Sequence, residues 1–182
     1  MLPTLETNAK LKQRIEPIRL LVLDVDGVLT NGYLYFDNQG NEFKAFNTQD
    51  GHGLKLLMRS GVDVAIITGR TSRVVENRAR DLGITRLIQG REDKFVALNE
   101  LLADKPVALG QIAFMGDDLP DLRCMTKVGL ALSVSNAHWQ VKQMAHWISD
   151  ARGGEGAVRE ACDLIMLSQN TYTEALARYV DL

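Results

Sequence analysis

Leu20-Leu21-Val22-Leu23 is an unbroken apolar run that stops at Asp24-Val25-Asp26-Gly27-Val28-Leu29-Thr30. A short run without polar alternation suits a strand covered on both faces, the setting of a parallel sheet. Two carboxylates then fall at the strand's carboxyl end, where open α/β sheets bind ligands. Asp24 and Asp26 flank a single residue, so on an extended backbone they point to one side. Such a pair repels and resists burial unless a cation joins it, and a hard divalent ion such as Mg²⁺ meets that need. Asp and Gly also end strands as plain turn residues. A calcium loop fits poorly, because its glycine belongs at the sixth position and Gly27 stands fourth, before Val28 and Leu29.

Apolar runs at 62–67, 86–89, 111–115, 129–134 and 147–149 read as five more strands. Helical patterns separate them. Leu54, Leu57 and Met58 precede a stop at Gly61. Arg73, Arg78 and Arg80 lie on a helix capped by Thr71 or Ser72 and ended by Gly83. Phe95, Leu98, Leu101 and Leu102 mark the next, and Val141 with Met144 another. Leu11 and Ile15 ahead of Pro17 make 1–17 an amphipathic lead-in. Arg152-Gly153-Gly154-Glu155-Gly156 reads as a flexible link into a helix over 157–167, with one more helix in the tail, 168–182. Residues 32–46 differ: Tyr33-Leu34-Tyr35-Phe36 and Glu42-Phe43-Lys44-Ala45-Phe46 flank a polar turn, the pattern of a β-hairpin. It follows the carboxylate loop and reads as a flap beside it or an ordinary edge hairpin. Its phenylalanines would leave apolar surface that a partner subunit could cover. The expected fold is α/β: a doubly wound parallel sheet in one domain spanning 1–182, with the 32–46 flap and a C-terminal helix and tail over 150–182.

The 182 residues suit one domain with a full core. A net charge of −2 leaves no electrostatic footprint for nucleic acid or an anionic membrane surface. Cys124 and Cys162 are too few for a disulfide framework, and the start of the chain lacks the apolar core of a signal peptide, so a cytoplasmic location is expected. No run approaches the ~20 apolar residues of a membrane span. His52, His138 and His146 are isolated and match no zinc spacing.

Three more polar groups occupy places equivalent to the paired aspartates. Thr68-Gly69-Arg70 ends the second strand, Lys94 opens the helix after the third, and Gly116-Asp117-Asp118 ends the fourth, with Asp121 one turn on. Each has a plainer reading as a cap or a solvated side chain, but all four share one edge of the sheet. A carboxylate can attack phosphorus, which suits Asp24 as nucleophile. Asp26 can protonate a leaving oxygen and then deprotonate water. Asp117 completes a Mg²⁺ site with Asp24, and Thr68 and Lys94 suit the phosphoryl oxygens where transition-state charge spreads. Asn47-Thr48-Gln49-Asp50-Gly51-His52-Gly53 opens a helix, as an anion site or as a plain cap.

These four motifs, in this order, resemble those of the haloacid dehalogenase-like phosphatases over about residues 18 to 150. The resemblance implies a Rossmann-like core, an aspartyl-phosphate on Asp24, and a Mg²⁺ site of Asp24, Asp117 and Asp26, the last through its backbone carbonyl. Haloalkanoate dehalogenases lack the second Asp, so Asp26 favours phosphoryl transfer. Gly27–Gly32, Phe43-Lys44-Ala45-Phe46, Asp50-Gly51-His52-Gly53 and Gly153-Gly154-Glu155-Gly156-Ala157-Val158-Arg159-Glu160 extend the likeness to the 3-deoxy-D-manno-octulosonate 8-phosphate phosphatase family, which has no cap domain. That family implies hydrolysis of this sugar-acid phosphate for lipopolysaccharide synthesis, a homotetramer joined through its hairpins, and a C-terminal segment covering a neighbour's site. It implies substrate contacts from Asp26, Asn47, Thr48, Gln49, Asp50, Gly51, Lys55, Arg70, Arg78 and Lys94, with Arg152 a further candidate. The competing readings are a phosphatase of another or a broad range of sugar phosphates, and a non-catalytic binding or assembly subunit.

Overall fold

Residues 9–180 are described in a computed structural model of the protein. The start of the expected lead-in, 1–8, and the last two residues lie outside the described part. The apolar runs form strands β1 (Leu20–Leu23), β4 (Asp63–Ile67), β5 (Arg86–Ile88), β6 (Ile112–Gly116), β7 (Leu130–Ser133) and β8 (Trp147–Ile148). All pair in parallel, in the order β5-β4-β1-β6-β7-β8. β1 is fully buried at the centre, with Leu20 beside Asp63 on one flank and Ile112 on the other. The chain first builds outward from β1 through β4 to β5, then returns to β6 on the other flank. The winding therefore reverses between β1 and β6, the crevice where open α/β sheets take ligands. Asp24 and Asp117 stand at the carboxyl ends of those two strands.

Helices fill the crossovers. α1 (Ala9–Ile15), α2 (Thr48–Arg59), α3 (Arg73–Leu82) and α7 (Ala157–Ser168) form one group, with α2 packed closely on α7. α4 (Lys94–Asp104), α5 (Leu122–Met125) and α6 (Trp139–Met144) form the other, against β4 to β7. α8 (Tyr172–Leu176) returns onto α7. Two strands of two residues each, β2 (Tyr35–Phe36) and β3 (Glu42–Phe43), make the antiparallel hairpin, and no separate cap intervenes among the described residues. No helix among them is long and apolar enough to cross a membrane.

Two local expectations are corrected. Residues 152–156 are not a flexible link. The Gly154 N–H donates to the Val28 carbonyl at 2.9 Å, the Gly153 N–H donates to the Asn136 side chain at 2.9 Å, and the Asp150 and Ala151 amides donate to the Glu160 carboxylate. A Cβ on Gly153 would lie 1.7 Å from the Gly27 carbonyl oxygen, so backbone rests on backbone there. The glycines permit close approach, which their composition alone does not distinguish from mobility. The helix that follows carries Val158, Ala161, Cys162, Ile165 and Met166 in the core, so this part of 150–182 is a structural layer. The second correction is Ser72. It holds the cap position of α3, but its hydroxyl donates to Glu42 at 2.6 Å and makes no cap.

Candidate active site

The nucleophile loop is set by its own backbone. The Val28, Leu29 and Thr30 amides converge on or near the Val25 carbonyl, and Gly27 turns at φ +99°, which an L side chain rarely adopts. A Cβ at Gly27 would also meet the Asp117 carboxylate at 2.0 Å. Glycine therefore lets the β6 carboxylate reach the β1 loop.

Below the loop lies a buried ionic cluster. Lys94 Nζ is 2.8 Å from Asp24 Oδ1 and donates to Asp121 Oδ1 at 2.6 Å. The other Asp121 oxygen accepts the N–H groups of Asp117 and Asp118 at 3.0 and 3.2 Å. Asp121 thus fixes both the lysine and the turn that presents Asp117. Sequence reasoning placed Asp121 one turn along but assigned it no role; its signal was an acid three and four residues after two others. Asp24, Asp117 and Asp121 bring carboxylate oxygens within 4.8 Å of one another. Burial, then the charge of Asp121, pushes Asp24 up to about 7. Burial, then the charges of Asp24 and Asp121, pushes Asp117 up to about 8. Burial opposes the Lys94 ammonium, but Asp24 and Asp121 outweigh it and raise its pKa. One lysine does not satisfy three acids, and the buried Asp117 Oδ1 has no hydrogen-bond partner. An unpartnered anionic oxygen in an all-oxygen donor set fits a hard divalent cation.

Asp26 lies higher, under the hairpin. Lys44, buried along its side chain, donates to Asp26 Oδ1 at 2.5 Å, and Arg70 Nε lies 3.8 Å from Asp26 Oδ2. Lys44 and Glu42 are site residues that sequence reasoning missed; the signal was their alternation with Phe43 on a hairpin strand. Thr68 is buried at the end of β4, and its hydroxyl accepts the Arg70 N–H.

The remaining sequence candidates divide. Asn47 caps α2, its side chain accepting the Gln49 and Asp50 amides, while Thr48 and Gln49 are exposed beside it. Arg78 donates to the Asn47 carbonyl at 3.3 Å, stacks over Phe46, and closes on Gly51. Asp50 is turned inward: Oδ1 accepts the Arg159 N–H at 2.8 Å in the first turn of α7. Its place in the capping turn gives no hint of direction, and packing of α2 on α7 decides it. Lys55 lies about 10 Å further along α2, in the groove with Arg59, Arg80 and Asp81, away from the carboxylates. Arg152 is exposed at the start of the glycine loop.

Comparison with known proteins identifies the family. The profile of haloacid dehalogenase-like hydrolases matches residues 86–160. The 3-deoxy-D-manno-octulosonate 8-phosphate phosphatase of Yersinia pestis is 51% identical over 158 residues, 87% of this chain and 84% of that protein. The chain belongs to the 3-deoxy-D-manno-octulosonate 8-phosphate phosphatase family of haloacid dehalogenase-like hydrolases. The enzyme of that name from Escherichia coli K12 is 46% identical over 168 residues, covering 92% of this chain and 89% of that one. The crystal structure of the Moraxella catarrhalis family member, in complex with magnesium, phosphate and KDO, superposes with a TM-score of 0.90 at 42% identity, covering 93% and 97% of the two chains. Family membership accounts for the six-stranded parallel sheet.

Proposed function

We propose that the chain is a Mg²⁺-dependent phosphomonoesterase that hydrolyses 3-deoxy-D-manno-octulosonate 8-phosphate to the free sugar acid and phosphate, in lipopolysaccharide synthesis. The observation that carries this reading is the buried cluster of Asp24, Lys94, Asp117 and Asp121 at the winding reversal. Asp24 and Asp117 would hold Mg²⁺, with the Asp26 backbone carbonyl. The bound ion supplies positive charge between a carboxylate nucleophile and an anionic phosphate.

The protein's own groups then divide the work. An Asp24 carboxylate oxygen attacks phosphorus, and the bond from phosphorus to the sugar oxygen breaks. Asp26 gives its proton to that oxygen. In the second half Asp26 takes a proton from water, whose oxygen attacks the phosphorus of the aspartyl-phosphate and frees Asp24 and phosphate. Lys94 and Thr68 hold the phosphoryl oxygens as charge spreads over them. Arg70, Arg78 and the 47–49 turn face the rest of the substrate. Arg is the side chain suited to a carboxylate's two oxygens. A single working domain over the whole chain, a homotetramer joined at the hairpins and a cytoplasmic location complete the proposal.

The test is phosphate release from 3-deoxy-D-manno-octulosonate 8-phosphate and from a panel of sugar phosphates, with Mg²⁺ and with chelator. Metal-dependent preference for the eight-carbon acid is the expected result. Equal release across the panel would replace it with a broad phosphatase, and no release at all would leave a binding subunit. Asp24→Asn should lose turnover by at least about 10³-fold, the scale of removing a nucleophile, while the variant still unfolds in one cooperative transition.

A further inference from the structure

Asp26, Lys44, Glu42 and Arg70 form a closed ring of alternating charge. Lys44 Nζ sits 2.5 Å from Asp26 and 3.3 Å from Glu42; Arg70 Nη2 is 3.0 Å from Glu42, and Arg70 Nε is 3.8 Å from Asp26. The ring joins three segments distant in sequence: the nucleophile loop, the hairpin and the loop after β4. Ser72 adds a fifth tie. Its hydroxyl donates to the second Glu42 oxygen at 2.6 Å instead of capping α3. Alternation along the strand explains the arrangement: Glu42 and Lys44 point inward to the site, and Phe43 between them faces solvent. Both inner side chains are largely covered, 17% exposed for Glu42 and 1% for Lys44, so the ring is screened less than a surface pair. Arg70 keeps 44% of its side chain exposed and can still meet a ligand.

We infer that Glu42 is a positioning residue of this site: it holds Lys44 and Arg70 against Asp26, so that docking of the hairpin sets affinity for the acidic end of the substrate. The inference rests on the phosphatase reading above and adds to it a specificity role for the hairpin. Without Glu42, two cations would share one carboxylate, Arg70 would lose its hydrogen-bonded anchor, and Ser72 would lose its acceptor. Glu42 touches no reacting atom; it acts through Arg70 and Lys44.

The experiment is steady-state kinetics of Glu42→Gln with 3-deoxy-D-manno-octulosonate 8-phosphate and with p-nitrophenyl phosphate, which has no carboxylate. Glu42→Gln should raise KM for the sugar acid about five- to tenfold, the scale of one charge-assisted hydrogen bond. KM for p-nitrophenyl phosphate should change less than about twofold, whereas kcat should shift by a common factor for both substrates, because Lys44 also rests on Asp26. In an Arg70→Ala background the same substitution should add nothing, because the path it acts through is gone. Equal KM changes for both substrates, no change, or additivity with Arg70→Ala would overturn the inference. Hydrogen exchange reads the latch without substrate: amides of 33–46 should exchange faster in Glu42→Gln and in Ser72→Ala. Unchanged exchange also overturns it. If the wild-type protein cleaves p-nitrophenyl phosphate but not the sugar acid, the substrate reading has failed, and exchange alone decides the latch.

Discussion

Lys94 is the cation on which the buried acids depend. Truncating it by Lys94→Met leaves Asp24 and Asp121 buried without a counter-ion, a defect that costs about 3–5 kcal/mol. The expected outcome is a clear fall in the urea midpoint together with lost turnover. Asp117 sits on the other side of the balance. Its pKa and that of Asp24 are raised above the ordinary 3.8, so the folded, metal-free protein binds more protons than the unfolded chain from about pH 4 upward. Stability contributed by these groups is therefore present at low pH and lost as pH rises toward about 8. Mg²⁺ binds the ionised forms, so the gap in melting temperature between Mg²⁺ and EDTA samples should widen from pH 5 to pH 8. Asp117→Asn should raise the EDTA melting temperature at pH 8 and abolish most of the gap. Equal gaps at both pH values would remove these carboxylates as the metal ligands.

At the scale of elements, α7 does more than close the chain. Its first turn takes the Asp50 carboxylate, and the loop before it braces the nucleophile loop through the Val28 carbonyl. Asp50→Ala should lower stability by about 1–2 kcal/mol, the worth of a helix cap, whereas Asp50→Asn keeps an acceptor and should come close to wild type. Truncation after Ser149 removes the buried face of α7 from α2, so the truncated chain should show no cooperative unfolding transition by circular dichroism. The expected flexible link and tail over 150–182 would make the residues beyond 149 an accessory to the site, dispensable for the fold. Burial of Val158, Cys162 and Ile165 reverses that expectation.

For the whole molecule, the hairpin has two faces with different partners. The inner face is ionic and docks on the site. On the outer face Tyr35 lies opposite Phe43 and stacks edge-on with Tyr33; Tyr33 and Phe43 are more than half exposed, a patch whose burial against other copies of the chain would be favourable. Tyr33→Lys with Phe43→Lys should therefore shift the sedimentation coefficient toward the monomer while each chain stays folded. An unchanged coefficient would place the subunit interface elsewhere.

What local pattern carries was legible without coordinates: six apolar runs, the helices between them, and polar residues wherever a run stopped. Period and punctuation are properties of neighbouring residues, so strand identity, parallel winding and the edge bearing Asp24, Thr68, Lys94 and Asp117 follow from them. The direction of a side chain within a turn does not. Asp50 and Asn47 share one capping turn, yet one is buried under α7 and the other caps α2 at the rim. Glycine reads the same whether it loosens a loop or admits another backbone, and only the 1.7 Å approach to Gly27 tells the two apart at Gly153. The ionic ring on Asp26 and the Asp121 brace join residues 18 to 44 positions apart or 27 positions apart, pairings that only the folded sheet brings within hydrogen-bond reach.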